Sequence, residues 1–139
     1  MQKLVIDTNV LVSALIARSY PALLIEEIIL ARKAQLILSE AIWQEYLDVL
    51  NRAKFARFTH FKRNAEILLL RLDELAEKIE PTERILLIKD LDDNKFLEAA
   101  IAANAHFIIT GNSNDFTFDR IGSTQIVSPK GYWENHRAE

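Results

Sequence analysis

The chain has 139 residues and a mass of 16.0 kDa, which suits one domain with a sizeable buried core. Hydrophobic residues make up 50%, glycine and proline three each, and cysteine is absent, excluding a long disordered tract, a disulfide framework and a thiolate metal site. A formal charge of -3 and a pI near 5.7 give no general prior for nucleic-acid binding, so any phosphate-binding surface has to be local.

Apolar runs of strand length alternate with longer stretches of helical period, the pattern of an α/β domain with a parallel sheet. In chain order, KLVI at 3–6 predicts a strand and is followed by a helix over 9–17. A second helix over 22–33 starts near Pro21. QLIL at 35–38 predicts the next strand, followed by helices over 40–51 and 63–79, the latter with Leu68, Leu72, Leu75 and Ile79 repeating at three and four. ILLI at 85–88 predicts a third strand, although four apolar residues can equally end a helix. A helix over 93–104 and strands at 107–109 (FII) and 125–127 (QIV) complete the chain. The expectation is a single α/β domain over 1–139, three layers in the order α/β/α, with a central parallel sheet of about five strands. No apolar run approaches the ~18 residues of a membrane span, and MQKLVIDTNV reaches an acid before any signal-like core. A cytoplasmic location without membrane association is therefore expected.

Four acids fall just beyond the expected strands. Asp7 follows LVI, Glu45 lies in the helix after QLIL, Asp93 follows ILLI, and Asp115 comes a few residues after FII. If the strands are parallel, all four meet at the carboxyl edge, where open α/β sheets bind ligands. Each acid also has a structural reading. Asp7 and Asp93, the latter with Asp90 and Asp92 beside it, can cap helices, and Asp115 sits among turn residues. Glu45 differs, because Ile42 and Val49 place it on the apolar stripe of its own helix, where a charge needs a partner. Glu40 faces elsewhere and Asp48 lies nearer solvent. Four gathered carboxylates repel one another and call for a cation, with Mg²⁺ or Mn²⁺ the leading candidates.

The stretches VIDTNVLVSAL at 5–15, SEAIWQEYLDVL at 39–50, DLDDNKFLEAAIAANAHFIITGNSNDF at 90–116 and IVSPKGYW at 126–133 resemble the PIN domain nucleases. The resemblance covers essentially the whole chain and is greatest to small stand-alone members, the VapC-like toxin components of bacterial and archaeal toxin-antitoxin systems. It implies that Asp7, Glu45, Asp93 and Asp115 are metal-binding and catalytic acids. It also implies an RNA substrate, a cognate antitoxin partner and a homodimer. One position departs from the commoner family pattern: Asn112 stands where many relatives carry Asp, leaving Asp115 as the fourth acid and Asn112 as a polar neighbour.

Bound Mg²⁺ or Mn²⁺ can activate a nucleophile, neutralise a phosphate and stabilise a leaving oxygen, all that phosphodiester hydrolysis needs. A histidine mechanism fits poorly, since His106 precedes its strand and belongs to the opposite edge, while His60 and His136 lie outside the acidic motifs. Thr8, Asn9 and Thr110 flank the acids and are candidate hydrogen-bond partners, or simply turn residues. Residues 52–63, RAKFARFTHFKR, hold Arg52, Lys54, Arg57, Lys62 and Arg63 with no acid, interleaved with three phenylalanines. The basic residues are candidates for binding RNA phosphates, and the phenylalanines for base stacking or for the core. A metal-dependent endoribonuclease is the reading these features favour. A non-catalytic nucleic-acid-binding or interaction module remains the alternative, with Asn112 in its favour. A phosphotransfer enzyme using Asp7 as nucleophile ranks last, because the haloacid dehalogenase-like pattern needs an Asp where Asn9 stands.

Overall fold

The computed structural model describes residues 1–82, 94–111 and 119–138. The expected strand at 85–88 and the candidates Asp93, Asn112 and Asp115 lie outside the described residues. Six strands, β1 (Lys3–Ile6), β2 (Gln35–Leu38), β3 (Glu77–Lys78), β4 (Phe107–Ile109), β5 (Arg120–Ile121) and β6 (Thr124–Val127), form one sheet in the order β3-β2-β1-β4-β6-β5. All pairings are parallel except β5 with β6. The near-continuous apolar runs of β1, β2 and β4 are explained by this topology, since a parallel strand is covered on both faces. Val5, Ile6, Ile37, Ile108 and Ile109 are completely buried.

The α-helices are α1 (Thr8–Ile16), α2 (Tyr20–Leu24, continued by a π-helical turn over Ile25–Ile29), α3 (Glu40–Leu50), α4 (Phe61–Leu75), α5 (Asn94–Ala103) and α6 (Pro129–Asn135). They flank the sheet as a three-layer α/β/α domain. Helix α5 packs on β1, β2 and β4, whereas α1 packs with α2, α3 and α4, and α2 with α6. Right-handed crossovers place these groups on opposite faces, because the chain runs one way along the sheet from β1 to β2 and back again to reach β4. Among the described residues no single helix is long and apolar enough to cross a membrane, although α1 and α2 with its π turn, bent by 104°, pass such a test of length and composition together.

Three expectations need correction. The helix expected over 63–79 ends at Leu75, and Glu77–Lys78 instead pairs with Ile37 and Leu38 of β2. Its polar composition hid it: a two-residue edge strand carries almost no periodic signal. The hairpin of β5 and β6 joins the expected strand at 125–127, which extends over Thr124–Val127, to a two-residue strand that was too short to show. It turns through Gly122, whose φ of +57° is the left-handed value that the first central residue of a two-residue hairpin turn requires. Helix α6 was not expected at all. Ser128 caps it by accepting from the Gly131 amide, and Pro129 opens its first turn.

Candidate functional site

Strand β1 lies between β2, which follows it in the chain, and β4, reached only after the chain has reversed direction across the sheet. The gap beyond the carboxyl ends of β1 and β4 is therefore the topological switch point, the usual ligand crevice of an open α/β sheet. Asp7 and Thr110 are the residues that immediately follow these two strands. Thr110 Oγ1 donates to Asp7 Oδ2 at 2.7 Å, and the Asp7 amide donates to the Ile109 carbonyl at 2.9 Å.

Asp7 occupies the N-cap position of α1, yet its side chain forms no capping hydrogen bond. The nearby amides of Asn9 and Thr8 still favour its charge, as does the bond from Thr110. They do not prevail. Burial dominates, Glu45 adds like-charge repulsion, and the net effect raises the Asp7 pKa above its usual value. A residue serving only as a cap has no need of a desolvated site at 7% exposure.

Glu45 reaches the same edge from α3. One carboxylate oxygen accepts from Thr8 Oγ1 and the other pairs with Lys95 Nζ at 2.8 Å. Its neighbour Tyr46 is completely buried and donates from its hydroxyl to the Ile6 carbonyl at 2.5 Å. Burial, followed by the charges of Asp7 and Glu45, raises the Tyr46 pKa well above 10.0, so the phenol keeps its proton and remains a donor. Two consecutive residues of α3 thus grip Ile6 and Thr8, on either side of Asp7. The competing acids fall away, with Glu40 exposed and accepting from Gln44, and Asp48 exposed and paired with Arg52 at 3.6 Å.

Of the candidate acids, the structure brings Asp7 and Glu45 together, and Thr8 and Thr110 bond to them as expected. Asn9 is exposed. Asp93 precedes α5 by one residue in sequence, but it lies outside the described residues, as do Asn112 and Asp115. Among the described residues no three potential ligands gather as a metal site. The two described carboxylates do fit a hard cation: they offer only oxygen donors, and the charged form of Asp7 is destabilised where it stands. Sequence reasoning missed Lys95 and Tyr46. The signal for Tyr46 was present, since a tyrosine on the apolar face of a helix needs a partner for its hydroxyl.

Two of the three histidines lie at the other edge of the sheet. His106 Nδ1 accepts from the Lys3 amide at the start of β1, and His136 lies against Phe107 at the start of β4, so both belong to the opposite edge. His60 is exposed and left-handed, with φ +63°, immediately before α4.

In the basic segment, Arg52, Lys54, Arg57, Lys62 and Arg63 are all exposed, while Phe55 and Phe61 are buried and stacked with centroids 4.7 Å apart. Lys54 lies over Phe55 at 5.2 Å and Arg57 over Phe58 at 4.8 Å. Phe55 and Phe61 therefore anchor the segment, and Lys54 and Arg57 cover rings of it. The carbonyl of Leu75, last residue of α4, accepts from the Gln35 side chain at the start of β2. From there α4 runs back for about 21 Å, which carries its first turn and the basic segment toward the carboxyl side of the sheet.

A family model for the PIN domain matches residues 3–114, and the chain belongs to the PIN domain family. PIN domains are in general nucleases, and they generally use divalent metals. Among solved structures the chain is similar to that of VapBC2 from Rickettsia felis bound to a DNA fragment from their promoter, with a TM-score of 0.60 and 18% sequence identity over 91% of this chain and 98% of that one. At that identity the likeness is one of fold. No curated protein matches the chain.

Proposed function

We propose that this PIN domain is a Mg²⁺- or Mn²⁺-dependent endoribonuclease acting as the toxin component of a toxin-antitoxin system. The observation that carries the reading is the pairing of buried Asp7 with Glu45 at the switch point, each held by a threonine from a neighbouring element. Asp7, Glu45, Asp93 and Asp115 would hold the metal, with Asn112 beside them. When bound, the metal supplies charge neutralisation at the phosphate and the activation that hydrolysis requires. Thr110 orients Asp7, Thr8 orients Glu45, and Tyr46 fixes the β1 backbone between them. Arg52, Lys54, Arg57, Lys62 and Arg63 would carry RNA phosphates at the same side of the sheet. The toxin assignment, a cognate antitoxin and a homodimer rest on family resemblance, supported by the VapBC2 likeness in fold.

A non-catalytic binding module has one specific observation in its favour beyond Asn112: the Glu45 charge is already balanced by Lys95. RNA cleavage assays with added Mg²⁺ separate the two readings. Asp7→Asn and Asp93→Asn should each lower cleavage by more than about 100-fold, or ~2.7 kcal/mol of barrier, while the fold survives. Activity of both variants within about tenfold of wild type would remove the metal site from the account.

A further inference from the structure

The Lys95–Glu45 pair is the least exposed ion pair among the described residues, with side chains 19% and 20% exposed, whereas each of the others has both partners at 37% or more. It lies within the candidate site and not beside it. Glu45 has both carboxylate oxygens engaged, one by Thr8 and one by Lys95. A divalent ion drawing on Glu45 has to share a carboxylate that Thr8 and Lys95 already engage, and on either oxygen its charge repels the ammonium held by the same group. Lysine suits such a role better than arginine, because a single flexible point charge can swing away without breaking a two-pronged fork.

We propose that Lys95 is a positioning residue that sets the metal affinity of the site. It is the resident counter-ion of Glu45 in the metal-free protein, and divalent-ion binding exchanges its ammonium for the metal at that carboxylate. This deepens the metal-dependent reading and rests on it. The pairing keeps Glu45 turned toward Thr8 and Asp7 when the site holds no metal, and metal affinity is lower than the carboxylates alone would give.

Mg²⁺ and, separately, Mn²⁺ titrated into the full chain without RNA test this, with calorimetry and thermal melting as readouts. Lys95→Met keeps the length of the side chain and removes its charge, and Lys95→Arg keeps the charge. Half-saturation of Lys95→Met should fall at about fivefold lower metal concentration than for wild type, and its metal-free melting temperature should drop. Lys95→Arg should saturate at the wild-type concentration or above it. Should Lys95→Met fail to fold by circular dichroism, Lys95→Gln replaces it with the same expectation. Saturation of the neutral variant at the wild-type concentration or higher, with wild type responding normally, overturns the role of Lys95 alone. No response to either metal in wild type and variants overturns the metal reading, and the exchange with it.

Discussion

The carboxyl edge at β1 and β4 and the basic segment over residues 52–63 are built on opposite plans. At the edge, Asp7, Thr8 and Thr110 are buried, and the polar groups are held by one another across four elements. In the basic segment, Phe55 and Phe61 are inside and the charges are left in solvent, with no described salt bridge except that of Arg52 with Asp48. The first arrangement fixes atoms in place at a cost in desolvation, as a site for chemistry requires. The second offers charge that long side chains can adapt to a flexible polyanion, and its contribution fades with salt. Removing its five cations leaves 12 basic against 20 acidic residues, so the rest of the chain repels a nucleic acid and the segment has to supply the attraction.

The contrast breaks most visibly within the basic segment itself. Phe61→Ala should cost about 3–5 kcal/mol of stability, because it removes a buried ring stacked on Phe55. Exposed Arg57→Gln should stay within about 0.5 kcal/mol of wild type. Urea unfolding of both variants measures the difference, and comparable losses would mean that the charges, not the rings, hold the segment. Tyr46→Phe comes next, with a loss of roughly 1 kcal/mol from one buried hydrogen bond and the Ile6 carbonyl left without that partner. If Tyr46 positions Asp7, this variant should also lower RNA cleavage; full activity at reduced stability would confine it to packing. The smallest effect on stability is expected from replacing Arg57, Lys62 and Arg63 together by Gln. That triple variant should fold as wild type yet bind RNA with a log affinity whose slope against log salt is shallower by roughly 0.7 for each phosphate that the protein no longer neutralises. An unchanged slope would assign the segment to packing or to a subunit interface.

How far the sequence revealed this arrangement depended on the length of each signal. The cores LVI, LIL and FII are apolar throughout and bounded on each side by polar residues, so their strands were legible to within a residue. Glu45 could be separated from Glu40 and Asp48 by its place on the helical stripe, because burial of a charge is itself an anomaly. Asp7 was ambiguous with a helix cap, and its burial, the charge of Glu45 nearby and the bond from Thr110, 103 residues away, distinguish the two. Lys95 gave no signal, since a lysine near the start of a helix is ordinary until a glutamate 50 residues earlier is seen against it. Two-residue strands such as Glu77–Lys78 are fixed by pairing with a neighbour and carry no pattern of their own.

The central claim is that the edge at Asp7 and Glu45 is built to hold a cation, and thermal melts of wild type and Asp7→Asn test it without any substrate. Because burial raises the Asp7 pKa above 3.8, its contribution to stability is most favourable below that unfolded value and is lost as pH rises through the folded one. In chelator at neutral pH Asp7→Asn should therefore melt above wild type, with the advantage vanishing as the pH falls below about 3.8. Excess Mg²⁺ should raise wild type by binding the native state and raise the variant less. Identical melting temperatures for the two proteins, in chelator and in Mg²⁺ alike, would contradict the claim and return Asp7 to the role of a helix cap.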